Sequence, residues 1–303
     1  MPFVADSHLN REVGGQPDDW ARVVDRLADV VPALPTPGAR LAVVGCGTSF
    51  FVAQSYAWLR EAGGYGETDA FAASENRLGR AYDHVLALTR SGTTTEVLDV
   101  LRGLRSRGVR TTVVTAVPGS PATDLADQAV LLPEVDEQSV VQTRFATSTL
   151  ALLRATLGED LGPAVADARA VLAESEESAL AGLADVEQVT FVGTGWSVGL
   201  AEEAALKLRE SAQFWTESYP AMEYRHGPIA IAAPGRATWA FGSVPDGLAE
   251  QVAATGGHFE HRDVDPLAEL VRVHRLCIAK ARQADVDPDH PRHLTRSVVL
   301  EQP

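Results

Sequence analysis

The hydrophobic positions of this chain alternate between short continuous runs and longer stretches with helical spacing. The runs Leu41–Val44 and Val85–Leu88 have the length and composition of buried strands. Each is followed by a turn rich in glycine and hydroxyl side chains. Apolar residues spaced as on one helix face come next, from Phe50 to about Arg60 and over Val97–Arg102. The pattern predicts two strand–loop–helix units in the first half of the chain.

The first of these units is repeated loosely in the second half. The segment Phe191–Ser197 is similar to Val43–Ser49, and both run from a strand through a Gly-x-Gly turn towards a helix. The second helix is expected over Ala201–Ser211. Strands that alternate with helices predict parallel sheets with helices on both faces. We therefore expect an α/β protein with two domains.

The predicted organisation has four parts. Residues 1–20 form a leader, residues 21–158 a first domain, residues 159–185 a helical connector, and residues 186–303 a second domain with a carboxyl-terminal tail. Ligands of such sheets bind at the carboxyl ends of the strands. The turn that follows Val85–Leu88 is rich in hydroxyl side chains, and the second half has no similar turn. At the equivalent position it has the segment Thr238–Pro245. An anion site is therefore expected in the first domain only.

The turn after Val85–Leu88 is the most informative chemical feature. Residues Thr89–Glu96 combine several hydroxyl side chains with Gly92 and the positive charge of Arg90, directly before a helix. The first N–H groups of a helix lack internal partners and its dipole favours negative charge, so this turn suits a phosphate. The alternative is a helix capped by a single Ser or Thr, although a cap needs only one hydroxyl.

The loop Gly45–Ser49 adds a second glycine- and hydroxyl-bearing turn before a helix. It does not complete the dinucleotide fingerprint, because Phe50 stands where G-x-G-x-x-G has its third glycine. The sequence also lacks a lysine-bearing P-loop. We therefore expect no nucleotide cofactor, and a cleft for a phosphorylated molecule smaller than a nucleotide.

Composition narrows the partners. A net charge of −15 over 303 residues argues against nucleic acid or an anionic membrane surface as a partner. Cys46 and Cys277 are too far apart in sequence to indicate a disulfide framework or a metal site. We find no signal peptide and no apolar run long enough to span a bilayer, and we expect a cytoplasmic protein.

Several further motifs occur in a fixed order with these turns. They are Glu12–Pro17, Gly45–Ser49, Ala73–Glu75, Arg90–Thr94, Glu203–Glu210, Glu223–Pro228 and Val286–Leu294. Taken together, they resemble the tandem sugar isomerase (SIS) domain family, over nearly the whole chain. The resemblance is greatest to the isomerase half of glucosamine-6-phosphate synthase and to its stand-alone relatives, the amino-sugar-phosphate deaminases and fructosamine-phosphate deglycases.

The resemblance implies a flavodoxin-like parallel sheet in each domain, a homodimer, a sugar phosphate as ligand, and neither metal nor cofactor. The residues that would bind the sugar phosphate, including the neighbours that shape the two turns, are Gly47, Thr48, Ser49, Thr89, Arg90, Ser91, Gly92, Thr94, Val140, Gln142 and Arg296. In the synthase family, a glutamate, a lysine and a histidine surround the reacting carbons of the substrate. The equivalent positions in this chain are Glu210, Lys207 and His226, and the histidine is expected to come from the neighbouring subunit.

The chemistry of these three residues fits that assignment. Lys207 and Glu210 lie three residues apart on a predicted helix and share one face, although such a pair is more often a solvated surface ion pair. A carboxylate can move a proton between the two carbons of an aldose–ketose pair. His226 is suited to passing the ring-opening proton near neutral pH, although a loop histidine bonded to backbone is the simpler interpretation.

Some positions depart from the synthase. Arg296 stands where the synthase tail carries a lysine that engages the sugar carbonyl, and arginine cannot form a Schiff base. Gln142 replaces a small serine, and Thr89 replaces the first serine of the phosphate turn. A glutamine-hydrolysing domain is also missing from the sequence, so we do not expect a complete synthase.

The leading hypothesis is an enzyme that isomerises, deaminates or deglycates a phosphorylated keto- or amino-sugar. The alternative is a phosphosugar-binding sensor or regulator without turnover, which usually carries a helix-turn-helix domain that the sequence does not show. A third possibility is an etherase of the muramic-acid-phosphate type, which the tandem layout fits less well. The residues do not decide among the three reactions or identify the sugar.

Overall fold

Two parallel β-sheets flanked by helices make up the computed structural model, which describes residues 7–300. The predicted α/β class and parallel sheets are confirmed. The chain divides into two compact units, one around each sheet, which we call unit A and unit B. Residues 1–6 of the predicted leader and residues 301–303 of the predicted second domain lie outside the described residues.

Unit A consists of Asp18–Glu137, Arg144–Leu161 and the tail from Thr295. Its sheet has the order β2-β1-β3-β4-β5. The strands are β1 (Leu41–Gly45), β2 (Thr68–Ala72), β3 (His84–Leu88), β4 (Arg110–Thr115) and β5 (Gln128–Leu131). Its helices are α2 (Leu27–Val30), α3 (Thr48–Ala62), α4 (Thr95–Arg105), α5 (Pro121–Leu125) and α6 (Arg144–Thr156), and α1 (His8–Asp25) contributes its residues from Asp18.

The strand order of unit A positions its two glycine- and hydroxyl-rich turns. Strands β1 and β3 are neighbours in register, with Leu41 opposite His84, and every residue of both strands is buried. The order 2-1-3-4-5 is that of flavodoxin-like sheets, in which the strand order reverses between the first and third strands. The loops that leave β1 and β3 therefore flank the crevice where such sheets bind ligands.

Unit B consists of the residues up to Pro17, Gln138–Thr143 and Gly162–Leu294. Its sheet has the order β7-β6-β8-β9, with parallel pairing throughout. The strands are β6 (Gln188–Gly193), β7 (Thr216–Pro220), β8 (Arg236–Phe241) and β9 (His258–Glu260). The helices wholly within it are α7 (Gly162–Ala173), α8 (Glu176–Ala179), α9 (Ser197–Ala212), α10 (Leu248–Ala254) and α11 (Pro266–Ala284), and α9 packs against α11.

The repeated motif has the same geometry in both units. A Cβ atom on Gly45 would lie 2.6 Å from the backbone carbon of Ser49, and one on Gly193 would overlap the backbone of Ser197. In each unit the first helical turn therefore packs directly on the last residue of the strand, which only glycine allows. This close approach starts α3 and α9 earlier than apolar spacing alone predicts, at Thr48 rather than Phe50 and at Ser197 rather than Ala201.

The segment predicted as a helical connector contains two helices. Helix α7 ends at Ala173 and the short α8 begins at Glu176, with Ser175 as its N-cap. The Ser175 side chain accepts a hydrogen bond from the backbone N–H of Ser178, which is the usual contact of an N-cap. The four-part division of the chain stays a prediction.

Candidate functional site

The loop after β1 presents hydroxyl groups at the start of α3. Gly47 precedes the helix with φ of +52°, a conformation that side chains disfavour. Thr48 and Ser49 form its first turn and are buried, with 5% and 7% of their surface exposed. The Ser49 N–H donates to the carbonyl oxygen of Cys46 at 3.1 Å, which tightens the loop. Both predicted hydroxyls thus lie at the amino end of a fifteen-residue helix.

Cys46, in the same loop, is not a nucleophile near neutral pH. Burial raises the pKa of its thiol to about 11, and the nearby Glu96 carboxylate acts in the same direction. The thiol therefore stays protonated, whereas the thiolate is the reactive form of cysteine.

The turn after β3 is held by its own side chains. The Thr89 hydroxyl accepts the N–H of Gly92 at 3.3 Å, and the Ser91 hydroxyl accepts the N–H of Thr93 at 3.2 Å. Gly92 has φ of +67°, and a Cβ atom there would overlap the Ser120 side chain. Thr94 is the residue before α4, but its side chain makes no capping bond. The turn is therefore a compact loop with clustered hydroxyls, rather than a helix with a single capping hydroxyl.

The charge of Arg90 is balanced within unit A. Its side chain is 5% exposed, and Nη1 lies 3.4 Å from Oε2 of Glu137, whose side chain is fully buried. The same carboxylate accepts the backbone N–H groups of Arg144 at 2.8 Å and Phe145 at 3.4 Å, at the start of α6. Glu137 therefore links the predicted phosphate turn to the start of α6.

The carboxyl-terminal tail lies on the predicted phosphate turn. The Ser297 hydroxyl is 3.0 Å from that of Thr93 and 3.3 Å from that of Thr94. The first N–H of α4, on Thr95, donates to the carbonyl oxygen of Val298 at 3.1 Å. The tail thus contacts a helix terminus and hydroxyl groups that the sequence assigns to phosphate.

Arg296, which replaces the family lysine, has protein partners as well. Its guanidinium group donates to the carboxylate of Asp136 and to the carbonyl oxygen of Glu137. Its own carbonyl oxygen accepts from Arg90 Nη2 at 3.1 Å. Arg296 therefore anchors the tail to unit A, and its charge is paired with Asp136.

The three predicted catalytic residues belong to unit B, where α9 carries two of them. Lys207 is 1% exposed and lies between two carboxylates on the same helix. Its Nζ donates to Glu210 and is 3.6 Å from Oε1 of Glu203, which is also buried. Glu210 keeps 20% of its side chain exposed. The pair is consequently not a solvated surface ion pair, since its cation is enclosed and only one carboxylate faces outward.

Helix α11 supplies the wall behind Lys207. Burial, together with the charge of Lys207, lowers the pKa of His274 to about 3, and its Nδ1 lies 3.1 Å from Nε2 of Gln16. Burial raises the pKa of the Cys277 thiol to about 12. Both groups are neutral near pH 7, so the charges at this place are those of Lys207 and the two glutamates.

A pocket of about 540 Å³ lies beside Glu210, entirely within unit B. Its walls come from the end of α9, the start of β7 and the segment Arg292–Leu294. Trp215 is its most exposed large apolar side chain, with 73% of its surface accessible. The outward carboxylate of Glu210 therefore faces a cavity large enough for a small molecule.

His226 and the two other residues assigned to the sugar are also in unit B. His226 is exposed and ends a short 3-10 helix, Glu223–His226, before Gly227 with φ of +139°. Val140 and Gln142 are half-buried, and Nε2 of Gln142 is a buried donor for which residues 7–300 provide no acceptor. Buried donors of this kind call for a partner, such as a water or a ligand.

In unit B, the loop that corresponds to Gly45–Ser49 is hydrogen-bonded to the segment that corresponds to the hydroxyl-rich turn. The Ser197 hydroxyl accepts the N–H of Thr194 at 3.0 Å and donates to the carbonyl oxygen of Phe241 at 2.8 Å. The Thr194 hydroxyl donates to the carbonyl oxygen of Ser243 at 2.8 Å. Both hydroxyls therefore form hydrogen bonds within unit B.

Sequence reasoning missed three supporting residues. Glu137 and Ser297 have the contacts given above. In unit B, Glu12 Oε1 accepts the N–H of Gln138 at 2.6 Å and so holds the segment that carries Val140 and Gln142. Glu12 belongs to the predicted leader motif, and neither Glu137 nor Ser297 belongs to a local pattern. A single buried acidic residue such as Glu137 has no motif by which one sequence could reveal it.

Comparison with known proteins begins with a family model. Residues 37–157, which contain the whole sheet of unit A, match the model of the SIS domain. No helix within residues 7–300 has the length and apolar character needed to cross a bilayer. In the same residues, no cluster of His, Cys, Asp and Glu is placed to hold a metal ion.

The chain is also similar to particular proteins. It is 30% identical to the isomerizing glutamine–fructose-6-phosphate aminotransferase of Symbiobacterium thermophilum, over 86% of this chain and 52% of that protein. The same enzyme of Methanothermobacter thermautotrophicus is 28% identical over 94% of this chain and 54% of its own length. This chain thus spans about half the length of the curated relatives that it matches.

Solved structures share the fold. A glucosamine-6-phosphate deaminase from Thermotoga maritima has a TM-score of 0.80 at 22% identity, covering 97% of this chain and all of that one (100%). The tagatose-6-phosphate ketose/aldose isomerase of Escherichia coli has a TM-score of 0.76 at 16% identity, covering 100% of this chain and 99% of that one. At these identities the likeness concerns the fold.

Proposed function

We propose that this protein is an enzyme that binds a keto- or amino-sugar phosphate and transfers a proton between adjacent carbons of the sugar. The observation that carries the proposal is the enclosed Lys207 between Glu203 and Glu210, with Glu210 alone facing a pocket. An enclosed ion pair of this kind, opening on a cavity, is typical of a catalytic site.

In the proposed reaction, the turn Thr89–Thr94 and the loop Gly47–Ser49 hold the phosphate of the substrate. Hydroxyl groups can rotate to donate to phosphate oxygens, and the amino ends of α3 and α4 favour negative charge. The hydroxyl contacts of the tail with Thr93 and Thr94 would have to rearrange when phosphate binds there.

Proton transfer is assigned to unit B. The ionised Glu210 removes a proton from the carbon beside the carbonyl and returns it to the neighbouring carbon. Lys207 donates a hydrogen bond to that carboxylate and holds it beside the pocket. His226 would open the sugar ring, and its exposure is compatible with the proposed homodimer, in which it serves the partner's site.

The wider assignments rest on the resemblance. We propose that unit B is a second SIS-like copy, supported by its strand order and by the matched packing of Gly45 and Gly193. A cytoplasmic location is proposed with it. The similarity to sugar-phosphate enzymes favours an enzyme over a sensor without turnover. No separate observation favours an etherase.

The test combines binding with turnover. Hexose 6-phosphates, amino-sugar 6-phosphates and fructosamine 6-phosphates are screened by thermal shift, where a ligand at about 100 times its Kd adds roughly 2.7 kcal/mol to stability. Glu210→Gln is then compared with Glu250→Gln, an exposed glutamate of α10. We expect Glu210→Gln to keep binding and lose turnover by roughly 10²- to 10⁴-fold, with Glu250→Gln unaffected.

Two results would contradict the proposal. Native-like turnover in Glu210→Gln would remove the proton-transfer role of that residue. Binding of sugar phosphates without turnover of any member of the panel would favour the sensor.

A further inference from the structure

Unit A has a pocket of its own along α4, the helix that follows the predicted phosphate turn. Its volume is about 420 Å³, within the range of about 300–1,000 Å³ that small-molecule sites have. One wall is α4, and the other is the segment after β2, from Ala73 to Leu78. We call this pocket the α4 groove. None of the residues assigned above to phosphate binding or catalysis lines it.

The α4 groove has opposite charges towards its two ends. Glu96 and Asp99 line it from the first half of α4, and Arg107 lines it from just beyond the end of that helix. Glu96, Asp99 and Gly103 follow one another at spacings of three and four residues, so they share one helix face. From Glu96 to Gly103 the helix rises about 10 Å, and Arg107 lies four residues further along the chain.

The charges at the two ends lack protein partners. Oε2 of Glu96 is buried, and residues 7–300 provide no hydrogen-bond donor for it. The guanidinium group of Arg107 is exposed and has no hydrogen bond or ion pair in the part of the chain that the structure describes. Asp99, in contrast, is paired with Arg102 at 2.7 Å. A buried carboxylate oxygen without a donor is unfavourable, so Glu96 calls for a donor from outside the chain.

The middle of the α4 groove is apolar and open. Leu78, Val100 and Leu104 line it there and belong to the hydrophobic core of unit A. Apolar walls of this kind favour methylene groups over water. The groove therefore offers a charged contact at each end and an apolar surface between them.

Gly103 keeps this middle part open, although the backbone does not require a glycine there. Its φ is not in the left-handed region, and a Cβ atom would meet nothing within 4 Å apart from its own helix and chain neighbours. Glycine inside a helix is destabilising relative to alanine. The absence of a side chain at this exposed position has a physical use if a ligand lies over it.

We propose that the α4 groove binds a small dipolar molecule, with a cationic group at one end, a carboxylate at the other and an apolar chain between them. The cation pairs with Glu96, the carboxylate pairs with Arg107, and the chain crosses Gly103. The proposal is independent of the reaction assigned to unit B, because it concerns other residues and another ligand.

Straight-chain amino acids with a terminal amino group are the probes. Glycine, 4-aminobutanoate, 6-aminohexanoate and 8-aminooctanoate differ only in the distance between their charges. The N-acetyl derivative of 6-aminohexanoate lacks the cation, and its methyl ester lacks the carboxylate. Isothermal titration measures the Kd of each probe for the native protein and for the variants.

Gly103→Leu fills the α4 groove, and Gly14→Leu is its matched control. Gly14 is also an exposed glycine inside a helix, α1, where a Cβ atom would meet nothing within 4 Å apart from its own helix and chain neighbours. Leucine is a better helix former than glycine, so both variants should fold with thermal midpoints no lower than the native one. A loss of binding in Gly103→Leu is then not a loss of folding.

We expect 6-aminohexanoate or 8-aminooctanoate to bind about tenfold or more tightly than glycine, which is too short to meet both ends. Blocking either charge of 6-aminohexanoate should weaken binding to the native protein about tenfold, as loss of a hydrogen bond to a charged group does. Gly103→Leu should abolish binding, and Gly14→Leu should keep the native Kd.

Two charge variants identify which end of the ligand meets which residue. Arg107→Ala should weaken binding of 6-aminohexanoate about tenfold but bind the methyl ester as the native protein does. Glu96→Gln should likewise weaken binding of 6-aminohexanoate but not of the N-acetyl derivative. The reverse pattern would overturn the assigned direction of the ligand.

Three results would overturn the proposal as a whole. The first is that no probe binds the native protein. The second is that a folded Gly103→Leu binds 6-aminohexanoate as tightly as Gly14→Leu does. The third is equal binding of 6-aminohexanoate and its two blocked derivatives, since the charges of the groove would then have no part in recognition.

Discussion

Replacing Glu137 by glutamine tests whether the phosphate turn depends on a buried charge. The carboxylate is fully buried, pairs with Arg90 and accepts two N–H groups at the start of α6. Glutamine keeps the shape and one acceptor oxygen but removes the negative charge. Removing one partner of a buried pair usually destabilises by about 3–5 kcal/mol, and the retained oxygen places this change near 3 kcal/mol.

The assay is the thermal midpoint of unfolding. For a chain of this size, about 3 kcal/mol corresponds to a decrease of roughly 5 °C. Glu134→Gln is the control, because Glu134 lies in the same unit and pairs with Arg26 at 2.5 Å on a surface where the side chains are 25% and 36% exposed. Exposed pairs contribute about 0–1 kcal/mol, so the control should shift the midpoint by about 2 °C at most.

Glu137→Gln should weaken the fold but strengthen the binding of the ligand. Without the negative charge of Glu137, less of the positive charge of Arg90 is offset, so binding of fructose 6-phosphate at the turn should tighten about ten- to hundredfold, which corresponds to the roughly 1.5–3 kcal/mol of a charged hydrogen bond. Isothermal titration measures this Kd. Equal thermal midpoints for Glu137→Gln and Glu134→Gln would refute the structural reasoning, and weaker binding by a folded Glu137→Gln would refute the role of Arg90.

Three further predictions follow from single contacts. Gly92→Ala should destabilise the protein by about 1–3 kcal/mol more than Gly119→Ala in urea unfolding. Both glycines have similar positive φ, +67° and +69°, but a Cβ atom on Gly92 would overlap the Ser120 side chain, whereas one on Gly119 would meet nothing within 4 Å apart from its chain neighbours. Equal losses would contradict the clash. Because the folded state lowers the pKa of His274 to about 3, the native protein should lose stability as the pH falls from 6.5 towards about 3. His274→Gln should lose up to about 1.4 kcal/mol less per pH unit over that range. If the native protein and His274→Gln had the same urea midpoint at every pH, this prediction would be wrong. Ser297→Ala should tighten sugar-phosphate binding about two- to tenfold if the tail competes for the turn, with Val299→Ala as control, and weaker binding would show that the tail supports it.

Much of the fold was predictable from local pattern. Continuous apolar runs identified β1 and β3, and glycine before a helix identified the turns that follow β1 and β6. The spacing of Lys207 and Glu210 placed both on one helical face, which the structure confirms. These features depend on residues a few positions apart, so the periodicity of helices and strands is enough to show them.

The partners of the candidate site residues were decided by tertiary structure alone. Arg90 meets Glu137 across 47 positions, and Arg296 meets Asp136 across 160. Whether Lys207 is enclosed or solvated likewise depends on α11, which the pattern of α9 does not contain. Local periodicity encodes which side of an element is buried. It does not encode which distant charge or helix will cover that side, because that depends on the path of the whole chain.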